Sequence, residues 1–261
     1  FKSLNSTGVD LEQGDLIRNH IFMSMPVAEQ DAFDDNQWRP LERHFEKDGK
    51  LDGKQFTSFF RDVLMRHGSY VGENAVFEVF ERENPLPGIE CGVVVADLER
   101  SAKHHDIVQG KTKHPSDEVE QAIRSIRSLN ATTAYPLVLA LLDVHDANTL
   151  PLDDLVGCLR TISGFVLRRY VCGKTSRAYG RWFCSACKVL GDNPLARLSA
   201  FLVDKGWPSD DTFIPSFQQL NLYEGKYGRA VLEGIEQFIQ ARSEPVLLEN
   251  CWIEHVLPQS I

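Results

Sequence analysis

A carboxylate and an imidazole stand side by side near the end of this 261-residue chain, at Glu254 and His255. Two apolar residues and Pro258 follow them in the run IEHVLPQ, residues 253–259. Adjacent side chains on an extended segment point to opposite sides, so this pair could serve a divalent ion and a water from different faces. The alternative is a solvated glutamate beside a partly buried histidine.

A second polar group lies near the start of the chain, in the loop Asn5-Ser6-Thr7-Gly8. One interpretation is a turn and helix cap, because Gly8 permits positive φ and hydroxyls satisfy free backbone N–H groups. The other is a nucleotide or phosphate site at the helix N-terminus, formed by Asn5, Thr7, Gly8 and Arg18. Arg18 lies about two turns beyond the cap, which favours the capping interpretation.

Motifs at both ends of the chain, and others between them, carry a family resemblance. They are LNSTG at 4–8, DLIRN at 15–19, WRPLE at 38–42, YPL at 135–137, RRYVCG at 168–173, Trp207-Pro208-x-Asp210 and IEHVLPQ at 253–259. In this set and order they resemble the helical region of GmrSD-type restriction endonucleases, the modification-dependent (type IV) family. The last motif looks like the opening of that family's HNH nuclease domain.

The resemblance implies three segments. Residues 1–25 would end an N-terminal nucleotide-dependent domain of the ParB and sulfiredoxin type, 26–245 would form a helical region, and 246–261 would begin a truncated HNH (ββα-metal) nuclease domain. It further implies that Glu254 is a metal ligand and His255 the general base. Mg²⁺ or Mn²⁺ and a nucleoside triphosphate would be the cofactors. DNA and the missing N- and C-terminal domains would be the partners.

Two departures from the family limit what the chain would do alone. The Asp-Gly-Gln-Gln-Arg signature associated with the nucleotide site is missing, since DGKQF at 52–56 lacks the Arg and lies on the wrong side of the LNSTG string. The Asn-bearing half of the HNH site would lie after Ile261. We therefore expect a fragment of a phage-defence DNA endonuclease that is inactive by itself. The alternative is a non-catalytic helical module for protein interaction or sensing.

The densest basic region of the chain lies within residues 160–181. The whole chain carries a net charge of −9, so contact with DNA would need a local basic patch or a metal-bridged site. Arginines near a helix C-terminus also stabilise the helix dipole, which is the alternative role. The candidates for contact with the DNA backbone are Arg168, Arg169, Lys174, Arg177 and Arg181.

Two pairs of residues belong to types that often bind metals, but their surroundings in the sequence favour structural roles. Cys184 and Cys187 have no second cysteine pair at zinc spacing, so we expect them to pack in the core. His104 and His105 lie beside a lysine. No carboxylate and histidine stand at metal-ligand spacing from them. We expect these histidines at a solvated helix end.

The composition is that of an ordinary globular protein, with 43% hydrophobic and 25% charged residues. Six cysteines are too few for a disulfide framework at this length, which favours a reducing cytoplasm. The longest nearly unbroken apolar stretch, 135–142, is far shorter than the roughly 20 residues that cross a bilayer. We expect a cytoplasmic protein that does not interact with a membrane.

Helical periodicity extends through most of the chain, so the predicted fold is mostly α, a multi-helix connector or bundle. A short β segment is predicted only near the C-terminal end, within 246–257. The first helix is predicted to follow an N-cap at Asp10, paired with Gln13, and to stop before Pro26. The other predicted helices are 38–45, 55–65, 75–83, 93–105, 116–129, 136–144, 151–170, 176–190, 194–205, 211–220 and 229–241.

Overall fold

The computed structural model describes residues 12–86, 88, 90–222 and 225–240, and within these ranges the protein is mostly α-helical, as predicted. Helices α1 to α6 are Gln13–Met23, Val27–Phe33, Arg39–Arg43, Gly53–Met65, Val76–Glu83 and Cys91–Gln109. Helices α7 to α13 are Asp117–Ser128, Tyr135–Asp146, Leu152–Val171, Tyr179–Ala186, Pro194–Asp204, Asp210–Gln218 and Gly228–Gln240. The β segment predicted within 246–257 lies outside the described residues.

Helix α1 begins at Gln13, two residues later than a cap at Asp10 predicts. Its N-cap is Glu12, whose backbone N–H donates to Asp15 Oδ2 at 3.1 Å while the Glu12 side chain accepts from the Asp15 backbone. This reciprocal pair satisfies backbone donors that the first helical turn leaves unpaired. Asp10 itself lies outside the described residues. Other side-chain caps stand before α4, α7 and α11, at Asp52, Ser116 and Asn193.

The segment from Pro26 to Gly53 contains the elements that the periodicity did not predict. Helix α2 follows Pro26 directly, and a π-helical turn, Asp34–Trp38, joins it to α3. Two short antiparallel strands, β1 (Glu46–Lys47) and β2 (Lys50–Leu51), then form a hairpin. Asp48 and Gly49 have φ values of 52° and 73°, as a type I′ turn requires at both central positions. The predicted helix 38–45 is therefore shorter, and its last residues enter the hairpin.

Helix α8 lies in the centre of the protein. All of its residues from Tyr135 to Leu142 are buried, so it is apolar around its whole circumference. A helix of this kind is stable only when other elements surround it. Helices α4, α6, α9 and α10 all pack against it.

An aromatic cluster fills the space between α4 and the segment before it. Phe56, Phe59 and Phe60 on α4 are buried, as are Trp38 and Phe45. The ring centroids of Phe45 and Phe59 lie 4.6 Å apart, and those of Phe56 and Phe60 lie 4.7 Å apart. Aromatic side chains bury more apolar area than any other type, so this cluster is a main source of stability.

Helix α1 belongs to the same core. Ile17 and Ile21 are fully buried in one continuous cluster that extends to α11. The His20 ring Nε2 also lies 2.7 Å from the Asn84 carbonyl oxygen at the end of α5. Described residues on both sides of position 25 therefore belong to the same core.

None of the helices in the described part of the chain combines the length and the apolar character that a bilayer crossing needs.

Val108 and Val93 provide a matched test of this core, since both lie on α6 and are 0% and 63% exposed. Val108→Ala is expected to lower the free energy of unfolding by about 2 kcal/mol, because two buried methyl groups leave a cavity. Val93→Ala is expected to change it by less than about 0.5 kcal/mol. Urea denaturation followed by circular dichroism measures both. Equal losses of unfolding free energy in the two variants would contradict the burial of Val108 and the exposure of Val93 on α6.

Candidate functional site

Five of the predicted site residues lie outside the described residues. They are Asn5, Thr7, Gly8, Glu254 and His255. The arrangement of the catalytic pair and of the N-terminal loop therefore stays a prediction from the sequence.

Arg18, the remaining member of the predicted nucleotide or phosphate group, is neutralised within the protein. Its guanidinium forms an ion pair with Asp34 at 2.8 Å and lies 3.9 Å from a Glu42 oxygen. It also stacks 4.4 Å from the centre of the Phe22 ring. A guanidinium held by two carboxylates offers little attraction to a phosphate, which argues against a phosphate contact at Arg18.

Arg169 has a structural position, which corrects its place among the candidates for DNA contact. Its side chain is buried and donates hydrogen bonds to the carbonyl oxygens of Lys205 at 3.1 Å, Gly206 at 2.9 Å and Thr175 at 3.2 Å. The guanidinium satisfies carbonyl groups where α11 ends and in the loop before α10. It is not presented to a DNA backbone.

The side chain of Arg168 likewise contacts the protein itself, at the loop that joins α11 to α12. Its Nε donates to the Pro208 carbonyl oxygen at 3.0 Å, and its guanidinium is ion-paired with Asp210. The guanidinium also lies 4.5 Å from the centre of the Phe213 ring. Two of the five candidates therefore hold helices α9, α11 and α12 together.

The other three candidates, Lys174, Arg177 and Arg181, are exposed. Within the described residues none of them forms an ion pair, in contrast to Arg168. Arg177 and Arg181 line a cleft, whereas Lys174 does not. The cleft has a volume of about 640 Å³ and lies between α4, the start of α8 and the start of α10.

Three arginines contribute to the cleft, because α4 adds Arg61. Arg61 is held in place by hydrogen bonds to the Val71 carbonyl oxygen at 2.8 Å and to the Tyr70 hydroxyl at 3.1 Å. The guanidiniums of Arg61 and Arg181 each lie 5.4 Å from the centre of the Tyr70 ring. Two cations from separate helices are thereby brought to one aromatic side chain.

The backbone of α10 comes close to the opposite wall of the cleft at Gly180. A Cβ atom at this glycine would lie 3.6 Å from Tyr70 Cε2 and 3.9 Å from Thr133 Cγ2. Helices α8 and α10 both begin here, and neither has a side chain that caps its first turn. The partial positive charge of two helix N-termini therefore adds to the charge of the arginines.

The floor of the cleft contains a buried carboxyl group, Asp62. Burial raises the pKa of Asp62 to about 7, although the nearby Arg61 opposes this change. His105 Nε2 lies 3.9 Å from the carboxyl group, and burial lowers the pKa of this histidine to about 4. At neutral pH His105 is therefore uncharged and Asp62 is only partly ionised.

His104 and His105 are buried, so the prediction of a solvated helix end was wrong. Helix α6 continues to Gln109 and ends at Gly110, whose φ is 78°. His104 Nε2 lies 2.9 Å from an Asp146 oxygen, and His105 packs with its ring centroid 5.5 Å from that of Phe59.

Buried Arg66, the residue that follows α4, is the centre of a second polar group beside His104. Its guanidinium bonds to Asp97 and Ser101 on α6 and lies 3.2 Å from Asp143 on α8. Since the charges of this group are paired with one another, we assign it to the stability of the fold.

The cysteine pair packs as expected. The thiols of Cys184 and Cys187 each donate to a backbone carbonyl, of Met65 and Phe183, at 3.4 Å. Burial raises the pKa of Cys187 to about 12, so its thiol stays protonated. In the part of the chain that the structure describes, no group of three or more His, Cys, Asp and Glu residues is placed to hold a metal ion.

Comparisons with models of protein families, with curated proteins and with solved structures find no match.

The raised pKa of Asp62 predicts a pH-dependent stability. The folded state binds this proton more tightly than the unfolded state, whose aspartates have a pKa near 3.9, so the stabilisation by the proton is lost as pH rises to about 7. Between pH 5 and pH 8, wild type is expected to lose about 2 kcal/mol relative to Asp62→Asn.

Urea denaturation at both pH values measures the difference. Asp192→Asn is the matched control, because Asp192 is exposed and has no ion pair in the described structure. The control is expected to follow wild type at both pH values. If Asp62→Asn also follows wild type, the carboxyl group is not protonated in the folded protein.

Proposed function

We propose that the chain is the helical region and the start of the nuclease domain of a cytoplasmic, phage-defence DNA endonuclease that acts on modified DNA. The run IEHVLPQ at 253–259 carries this proposal. The mostly helical fold of the described residues agrees with the helical region that resemblance to GmrSD-type enzymes implies. In this proposal the enzyme is nucleotide-dependent and metal-dependent.

In this proposal two adjacent side chains have separate tasks. Glu254 holds Mg²⁺ or Mn²⁺, which supplies positive charge at the scissile phosphate when it is bound. His255 takes a proton from the water that attacks the phosphate.

We propose that, of the predicted set, only Lys174 contacts DNA within the described residues. Arg168 and Arg169 are held by the protein, and Arg177 and Arg181 line the cleft. Lys174 remains as an exposed cation without an ion pair in the described structure. A single lysine contributes little to the affinity for a polyanion, so we propose that most DNA contacts lie elsewhere in the enzyme.

One observation favours the alternative, a helical module for protein interaction. Helix α13 carries exposed apolar side chains at Leu232, Ile235, Phe238 and Ile239. Their spacing places them on one face of the helix. In an interaction module this face would contact a partner protein, and Glu254 and His255 would have no catalytic task.

His255→Ala, made in the protein that the complete gene encodes, separates the two functions. A general base contributes roughly 10²- to 10⁴-fold to a rate, so the variant is expected to lose most DNA cleavage and to keep its melting temperature and nucleotide turnover. Glu254→Ala is expected to regain part of its rate at raised Mg²⁺, because it weakens the binding of the ion. Cleavage assays, nucleotide turnover and thermal melts on the same samples provide the measurements.

His67→Ala is the matched control, since His67 is exposed on the helical region. It is expected to cleave DNA like wild type. A parallel loss of stability, cleavage and nucleotide turnover in His255→Ala would instead make His255 a packed residue. Failure of the wild-type protein to cleave DNA would favour the interaction module.

A further inference from the structure

We propose that the cleft between α4, α8 and α10 binds a small organic phosphate, with Arg61, Arg177 and Arg181 as the phosphate ligands. This inference is independent of the proposed nuclease activity, which depends on residues 254 and 255. It concerns only described residues.

The charge of the cleft favours an anion. Several arginines elsewhere in the described structure are neutralised by carboxylates, as Arg18, Arg66 and Arg168 are. The three arginines of the cleft form no ion pair there, although the chain as a whole is acidic. Guanidinium groups match phosphate oxygens in geometry as well as charge, and they are the preferred side chains for binding phosphate.

The Arg61 guanidinium is held in position without a ligand. Its Nε and one terminal nitrogen are fixed by Val71 and Tyr70, which leaves the other terminal nitrogen without a partner in the described structure. A fixed guanidinium loses less conformational freedom when it binds a ligand than a mobile one does. The N-termini of α8 and α10 at the same cleft favour negative charge as well.

The size and lining of the cleft favour a small ligand over a DNA duplex. Its volume of about 640 Å³ lies within the range of small-molecule sites, which is roughly 300–1,000 Å³. Hydroxyl groups on its walls provide partners for further oxygen atoms of the ligand, from Ser58, Thr132, Thr133 and Ser176.

The floor and rim give room for the organic part of the ligand. Met65 and Tyr135 are buried beneath the cleft, and the Tyr70 side chain at its edge is 49% exposed. The Asp62 carboxyl group between them is partly protonated at neutral pH, which reduces the repulsion of an anion. In its protonated form this carboxyl group also donates a hydrogen bond.

The test is isothermal titration calorimetry of the 261-residue chain with ribose 5-phosphate, with ribose as the control that lacks the phosphate. We expect saturable binding of ribose 5-phosphate and at least roughly 10-fold weaker binding of ribose, because charge-assisted hydrogen bonds dominate. Absence of binding of ribose 5-phosphate at millimolar concentration overturns the proposal. Equal binding of both sugars overturns it as well.

The double variant Arg177→Gln/Arg181→Gln tests the ligands. It is expected to bind ribose 5-phosphate at least roughly 10-fold more weakly than wild type. The matched control is Arg43→Gln/Arg82→Gln, which removes the same charge from two exposed arginines outside the cleft that have no ion pair in the described structure. This control is expected to bind within about 2-fold of wild type, since distant surface charges are screened. Equal losses in both variants would contradict the assignment.

Two further measurements separate a loss of binding from a loss of stability, and a small phosphate from DNA as the ligand. If the double variant melts at a lower temperature than its control, Arg177→Gln alone replaces it, because the Arg177 side chain forms no hydrogen bond or ion pair in the described structure. Titration with a DNA duplex tests the other polyanion. If the duplex displaces ribose 5-phosphate and requires the same two arginines, the cleft is a DNA interface and the proposal is wrong.

Discussion

The structure depends on the burial of α8. Because this helix is apolar on every side from Tyr135 to Leu142, other helices must surround it. Helix α4 is one of the helices that pack against it, and α4 also carries Arg61 into the cleft. Helix α10 packs against the same central helix and begins beside the start of α8. The cleft is thus a consequence of the packing around one apolar helix.

The same constraint explains the buried charges. Asp143 lies on the last turns of α8, where the central helix changes from apolar to polar, and Arg66 at the end of α4 and His104 on α6 both reach it. Removal of one charge from such a group would leave its partners buried and unpaired, so these residues fix how α4, α6 and α8 meet. In the cleft the arginines have no such partners, and this difference separates a binding site from a structural network.

The sequence predicted most helices because caps and apolar periodicity are local properties. It did not predict the burial of His104, because the partner carboxylates Asp143 and Asp146 are about 40 residues away and only the fold brings them near. Similarly, Arg169 and Arg181 cannot be distinguished within the basic segment of the sequence. In the structure, Arg169 is buried and Arg181 lines the cleft. No spacing in the sequence connects Arg61 with Arg177 and Arg181, so the part of the site on α4 could not be found from a local pattern.

The most direct test of this account is nuclear magnetic resonance of the arginine Nε–H groups of the chain during titration with ribose 5-phosphate. The account predicts that the signals of Arg61, Arg177 and Arg181 shift together along one binding curve, since one phosphate contacts all three. The signals of Arg168 and Arg169 should stay in place, because their guanidiniums are held by the protein. Shifts spread evenly over the exposed arginines, or no shift at the three cleft residues, would contradict it.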